Sequence, residues 1–113
     1  MADVLGTFEQ AVLLALVRPS TPLGKEAYGR AILKEVQLRL DRNVAAGAVY
    51  ATLDRLEQKG LIASRLGSGT AARAGRPRRY YAVEPAGMRA LNDAKAAAER
   101  LWNGVRLPLR GTT

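Results

Sequence analysis

The chain's 113 residues provide one domain with a modest core, and its 18 basic and 10 acidic side chains leave a net charge of +8 that indicates a polyanionic partner. The absence of cysteine and histidine excludes disulfide scaffolds, thiolate sites and the usual ligands of zinc and non-haem iron. No apolar run approaches the roughly 20 residues that cross a bilayer, so we expect a cytoplasmic protein with no cofactor and no membrane partner.

The first helix is predicted over residues 5–17, where a wide apolar arc carries Phe8 on one side and Leu13 and Leu14 beyond it. Arg18-Pro19 ends this helix, because proline removes a donor and disfavours helical backbone in the residue before it. After the loop PSTPLG, a second helix is predicted from about Lys25 to Leu40. Its inward positions, four residues apart, are Tyr28, Ile32, Val36 and Leu40.

The third predicted helix lies within Asn43 to Gly60 and has two unlike faces. Val49, Leu53 and Leu56 form an apolar stripe that must be buried. The opposite face has no bulky side chain, and it consists of Gly47, Ala51, Asp54 and Gln58, with Tyr50 and Arg55 at its edges. Lys59-Gly60 predicts the end of the helix, because a basic last turn followed by a left-handed glycine is a common C-terminal cap.

Beyond Gly60 the pattern alternates, which predicts strands at Leu61–Leu66 and Arg78–Val83. The loop GSGTAARAGRP joins them as a long hairpin, and it lacks the Gly-Lys-Ser/Thr ending of a phosphate-binding loop. Alternation directs Tyr81 toward the core and Tyr80 to the other side of the hairpin.

A final helix is predicted to open at Glu84-Pro85 and to end near Gly104 and Pro108. Its apolar stripe is Met88, Leu91, Ala94, Ala98, Leu101, Trp102 and Val105. The element order predicts a mainly α fold with a two-stranded β wing, that is, a winged helix-turn-helix plus a C-terminal dimerisation helix. The predicted boundaries are residues 1–83 for the winged-helix DNA-binding domain, 84–108 for the dimerisation helix and 109–113 for a flexible tail.

Four segments occur in an order and with gaps that match a known family. They are LGTFEQAVLLAL at 5–16, AYGRAI at 27–32, GAVYATLDRLEQKGLI at 47–62 and GRPRRYYAVEPAG at 75–87. Together they resemble the PadR family of bacterial transcriptional regulators, over about residues 5 to 91. The resemblance implies a winged-helix fold, a homodimer closed by the C-terminal helix, usually repression of a promoter, and often release by a small aromatic or lipophilic effector. The single C-terminal helix is similar to the short branch of the family.

Two positions depart from the family pattern. Members commonly have Ser or Thr just before the recognition helix, where this chain has Ala45-Ala46. The missing side-chain cap costs about 1 kcal/mol unless Asn43 supplies it by starting the helix earlier. Where the family tends to open its last helix with Thr-Pro, this chain has Glu84-Pro85, which suits the helix dipole but caps less well.

Two sets of residues are predicted to contact double-stranded DNA at a palindromic operator. Small residues on the third helix let it lie close to the groove floor, where alanines can meet thymine methyl groups. Residues 61–81 include five arginines and no acidic side chain, which suits a wing that follows phosphates or enters a narrow minor groove. The alternatives are an ordinary helix surface and a solvated charge cluster. The predicted DNA-binding residues are Gly47, Ala48, Tyr50, Ala51, Arg55, Arg73, Arg76, Arg78 and Arg79.

The last helix has little within its own chain to cover it, so a two-fold partner is expected on the arc of the first helix. The predicted dimer interface is Phe8, Leu13, Leu14, Leu91, Ala98, Leu101, Trp102 and Val105. Trp102 either packs this interface or, paired with its copy, lines a pocket for a flat aromatic effector that favours one dimer geometry.

Other function classes are less favoured by these residues. The chain has no nucleophile-base motif, so we expect that it is not an enzyme. The main competitor is a non-specific DNA-packaging or RNA-binding winged helix, because the third helix offers few polar side chains for reading bases. The net charge of +8 disfavours a protein–protein adaptor.

Overall fold

The computed structural model describes residues 5–18, 27–67 and 78–108. In this part of the chain the elements are α1 (Thr7–Val17), β1 (Ala27–Tyr28), α2 (Gly29–Leu40), α3 (Ala46–Gln58), β2 (Ile62–Leu66), β3 (Arg79–Val83) and α4 (Pro85–Trp102). The predicted order of three helices, a hairpin and a final helix is confirmed. The predicted loop at 19–24, the hairpin residues 68–77 and the tail at 109–113 lie outside the described residues.

The core forms where the inner faces of the first three helices meet the sheet. The apolar stripe of α3 is fully buried, as predicted, against Ile32 and Val36 of α2 and Val12 of α1. Burying these side chains is the main favourable term in folding such a small domain. The core therefore fixes which side of α3 is left outside.

The sheet has three strands in the order β1-β3-β2, all antiparallel. Tyr81 faces the core, as predicted, and burial raises the pKa of its hydroxyl. The short strand β1 was not predicted, and α2 begins at Gly29 instead of near Lys25. The sequence pattern missed β1 because two residues are too few to display alternation.

The C-terminal end of α3 is closed by Gly60, whose φ of 76° is left-handed. Its N–H donates to Glu57 O at 2.9 Å, and the N–H of Leu61 donates to Leu56 O at 3.0 Å. These two bonds form a Schellman motif, so the predicted cap is confirmed. It turns the chain from α3 directly into the wing.

The N-terminal end of α3 has no side-chain cap. Ala45 occupies the cap position with extended backbone (φ −70°, ψ 137°), and its side chain accepts no hydrogen bond. The helix begins at Ala46, so Asn43 does not replace the missing cap by starting the helix earlier.

Replacing Ala45 by serine is expected to raise the free energy of unfolding by about 1 kcal/mol, because a hydroxyl there can accept a free N–H of the first turn. Chemical denaturation would measure the change. The matched control is Ala46→Ser, one residue past the cap, which should lose a few tenths of a kcal/mol through lower helix propensity. Equal unfolding midpoints for Ala45→Ser and the unmodified chain would contradict the missing-cap account.

The start of α1 is tied to the end of α3 through Glu9. Its carboxylate accepts from the N–H of Gly6 at 3.1 Å and lies 3.2 Å from Lys59 Nζ. Burial raises the pKa of Glu9, but the Gly6 hydrogen bond and the Lys59 ammonium outweigh it, so the net pKa is below its usual 4.5. Protonation of Glu9 in acid therefore weakens this link between the two helices.

The first turn of α4 lies directly against the base of the wing. The N–H of Glu84 donates to Leu61 O at 2.9 Å, and Gly87 is buried against the same backbone. From residue 97 to its end, α4 is exposed at every position. In the part of the chain described here, no helix combines the length and the apolar character needed to span a bilayer.

Candidate nucleic-acid interface

The face of α3 opposite its buried stripe is open to solvent. Gly47, Ala48, Ala51, Asp54 and Gln58 are all exposed, and a Cβ added at Gly47 would meet no atom within 4 Å. Small side chains keep the helix axis close to any surface on which it lies. The predicted DNA-facing side is therefore accessible, although its contact with DNA remains a prediction.

One edge of this face is basic. Arg42 and Arg55 line an open concavity of about 460 Å³ together with Ala48 and Ala51. Arg55 Nη2 donates to the buried Thr52 Oγ1 at 3.0 Å, which steadies the guanidinium on the helix. Sequence reasoning missed Arg42 because it lies in the connector between α2 and α3, where helical periodicity assigns no face.

The other edge of the face contains Tyr50, which is 44% exposed. Its ring packs against Gly29 at the start of α2, in space that a Cβ would fill. Tyr50 is thus shared between the two helices of the helix-turn-helix. Spacing along α3 predicted its position but could not predict this contact.

Arg79 of β3 is joined to α3 through Ser64 of β2. Its Nη1 donates to Ser64 Oγ at 2.9 Å, and that hydroxyl donates to Glu57 Oε2 at 2.8 Å. All three side chains have polar atoms at the surface. The relay places one predicted wing arginine beside the exposed face of α3 and holds it there before any partner binds.

Arg78 occupies a different environment, on the outer side of the sheet. Its guanidinium carbon lies 4.1 Å from the ring centroid of Tyr28, which contacts Tyr80 edge to face at 6.1 Å. Arg65 lies 5.2 Å from the Tyr80 centroid. Such cation–π contacts stabilise the sheet and leave Arg78 half-buried. The other two predicted wing arginines, Arg73 and Arg76, lie outside the described residues.

Comparison with known proteins identifies this arrangement. Residues 22–93, more than half of the chain, match the sequence profile of the transcriptional regulator PadR-like family. The chain belongs to the PadR-like family. A comparison with curated proteins found no match.

Solved structures of the PadR family are similar over most of their length. A PadR family transcriptional regulator from Eggerthella lenta is 30% identical, with a TM-score of 0.68 over 88% of this chain and 78% of that one. A PadR-like transcription factor from Bacteroides fragilis is 25% identical, with a TM-score of 0.68 over 85% of this chain and 84% of that one. A PadR family regulator from Clostridium difficile is 25% identical, with a TM-score of 0.62 over 87% of this chain and 96% of that one.

In this PadR-like chain, an apolar groove of about 470 Å³ separates α1 from α4. The apolar side chains that line it are Leu14, Val17, Met88, Leu91, Ala94 and Ala98. Beyond the groove, Leu101 is 77% exposed, Trp102 is 58% exposed and Val105 is 51% exposed. These large apolar side chains are accessible to a partner. Val17 and Met88, which the predicted interface did not include, are also exposed.

One residue of the predicted dimer interface is corrected. Leu13 has no exposed surface, so it packs the core of its own chain. Phe8 is half-buried beside Ala48 and Thr52 of α3, whereas the groove is lined by Leu14 of α1, and the place of Phe8 in an interface stays a prediction. A wide apolar arc does not indicate which of its residues the chain itself will bury.

Proposed function

We propose that this PadR-like regulator is a cytoplasmic homodimer that binds a palindromic operator with α3 in the major groove and represses a promoter. The proposal rests on the exposed face of α3, which has few large side chains and has arginines on both sides. Arg42 and Arg55 lie at one edge, and Arg79 lies beside the other. This geometry suits close approach to the groove floor with phosphate contacts at the edges.

Few α3 side chains can reach base edges. The face opposite the buried stripe has one carboxylate, Asp54, and one amide, Gln58, among glycine and alanines. The side chains of α3 can therefore read few bases directly. We propose that DNA shape and the spacing of two half-sites supply much of the specificity. This mechanism requires a dimer of fixed geometry, for which the unpartnered apolar surface of α4 is the candidate contact.

The test of specific binding compares duplex DNA from the region upstream of the protein's own gene with random duplex at physiological salt. A preference of about 10³ is expected of a specific regulator. A preference below about tenfold would instead favour the non-specific DNA-packaging or RNA-binding alternative, which the small number of polar groups on α3 also suits.

Replacing Arg76 and Arg79 together by alanine is expected to weaken binding to both duplexes by a similar factor. Each lost phosphate contact should also reduce the slope of log affinity against log salt by about 0.9. The matched control replaces Arg100 and Arg106 together by alanine, because it also removes two exposed arginines, far along the chain from the wing. Unchanged affinity and slope in the double variant would exclude the wing from the interface.

The effector part of the proposal rests on Trp102, which is exposed at the end of α4. Two such rings meeting at a dimer axis would provide flat surfaces for an aromatic ligand that favours one dimer geometry. Quenching of Trp102 fluorescence by planar lipophilic compounds, in competition with operator DNA, is the expected result. Quenching with no loss of DNA affinity would mean that the site has no regulatory role.

A further inference from the structure

The start of α2 contains a glycine that the backbone does not require. Gly29 is the first residue of α2, it is buried, and it does not have a positive φ. Glycine is less favourable than alanine in a helix, so another constraint must account for it. That constraint is the ring of Tyr50, because a Cβ at Gly29 would overlap Tyr50 Oη and lie 2.6 Å and 2.8 Å from Cε1 and Cζ.

The same contact fixes a residue at the edge of the candidate interface. Tyr50 projects from α3 beside the exposed face, yet its ring is held against a different helix. No hydrogen bond involves its hydroxyl within the described ranges 5–18, 27–67 and 78–108. The hydroxyl end of the ring is therefore packed against α2, and the hydroxyl has no hydrogen-bond partner among the described residues.

We propose that Gly29 is a positioning residue for DNA recognition, which acts by holding Tyr50 in one orientation so that its hydroxyl meets the DNA at one point beside the groove. This inference rests on the proposed function. An anchored side chain loses little conformational freedom on binding, so its contact is stronger and more selective than that of a mobile one. Gly29 itself touches no DNA in this mechanism.

A double-mutant cycle separates this role from a general effect on α2. The variants are Gly29→Ala, Tyr50→Ala and the pair, measured against upstream and random duplexes together with thermal unfolding. Gly29→Ala is expected to weaken binding to the preferred duplex about tenfold when Tyr50 is present. It should have no further effect when Tyr50 is alanine, because the added methyl group then meets no ring.

Tyr50→Phe provides the second measurement and leaves the anchored ring in place. It should lose about tenfold in affinity for the preferred duplex, through the missing hydroxyl, with an unchanged melting temperature. Equal losses from Gly29→Ala in both backgrounds would overturn the inference, and so would full affinity in Tyr50→Phe. If the unmodified chain prefers neither duplex, the proposed function itself is wrong. The measurement on the unmodified chain detects that outcome separately from the effects of the variants.

Discussion

Replacing Gly87 by alanine is expected to destabilise the protein by about 2 kcal/mol. The new methyl group would overlap Leu61 O and lie 2.7 Å from Val83 Cγ1. Leu61 O also accepts the N–H of Glu84, so α4 can move away only by breaking the bond that starts it. For a chain of this size the melting temperature should fall by about 10 °C at a fixed protein concentration.

The matched control is Gly47→Ala, the same substitution at a helical glycine with open space around it. It should stabilise the protein by up to about 1 kcal/mol, because alanine has the higher helix propensity. The opposite signs of the two changes separate close packing from propensity. A stabilising Gly87→Ala would mean that α4 is not packed closely against the base of the wing.

Replacing Leu101 by aspartate is expected to convert the proposed dimer into a monomer and to abolish operator binding. Leu101 is mostly exposed within its own chain, so the fold of the monomer should survive the change. A charge buried in an apolar interface without a partner is strongly unfavourable. Sedimentation should give twice the chain mass of 12.2 kDa for the unmodified protein and the single chain mass for the variant.

Arg100→Gln on the polar side of α4 lowers the charge by the same one unit and should leave both the mass and the DNA affinity nearly unchanged. Circular dichroism of Leu101→Asp should retain the helical content of the unmodified protein. If the unmodified protein has the single chain mass at every concentration, α4 does not hold two copies together.

The parts of the fold with a clear period were predictable from the sequence. Three aliphatic residues at helical spacing identified the buried side of α3, and therefore its open side. The glycine that ends α3 and the inward tyrosine of β3 followed from equally local patterns. Each of these features depends on residues within a few positions of one another. At that range the spacing in the sequence determines which side chains lie close together.

The contacts that could not be predicted join residues far apart in the chain. The stacking of Arg78 on Tyr28 depends on β1, a strand of only two residues. Because of this contact the Arg78 guanidinium is half-buried, although the basic composition of the wing predicted that it contacts DNA. Arg42 of the connector and Arg55 of α3 line the same concavity, which the spacing of residues along one helix could not show. Leu13 was assigned to a partner because periodicity shows how wide an apolar arc is, but not how much of it the chain itself covers.

The N-terminal part of α4 is packed against the rest of the chain, whereas its C-terminal part is exposed. A small rotation of the packed part would therefore move the C-terminal end by a larger distance. The helix is held from Gly87, which meets the wing, to Ala94, which packs against the core. Trp102 lies eight residues beyond Ala94, roughly 12 Å away at the usual rise per residue. A rotation of about 15° about the end of the held part would displace Trp102 by roughly 3 Å, which is close to the roughly 3.4 Å step between stacked bases. If two copies pair through α4, as proposed, such a rotation in each copy would change the distance between the two α3 helices by an amount comparable to base-pair steps, and so change which half-site spacing the dimer fits.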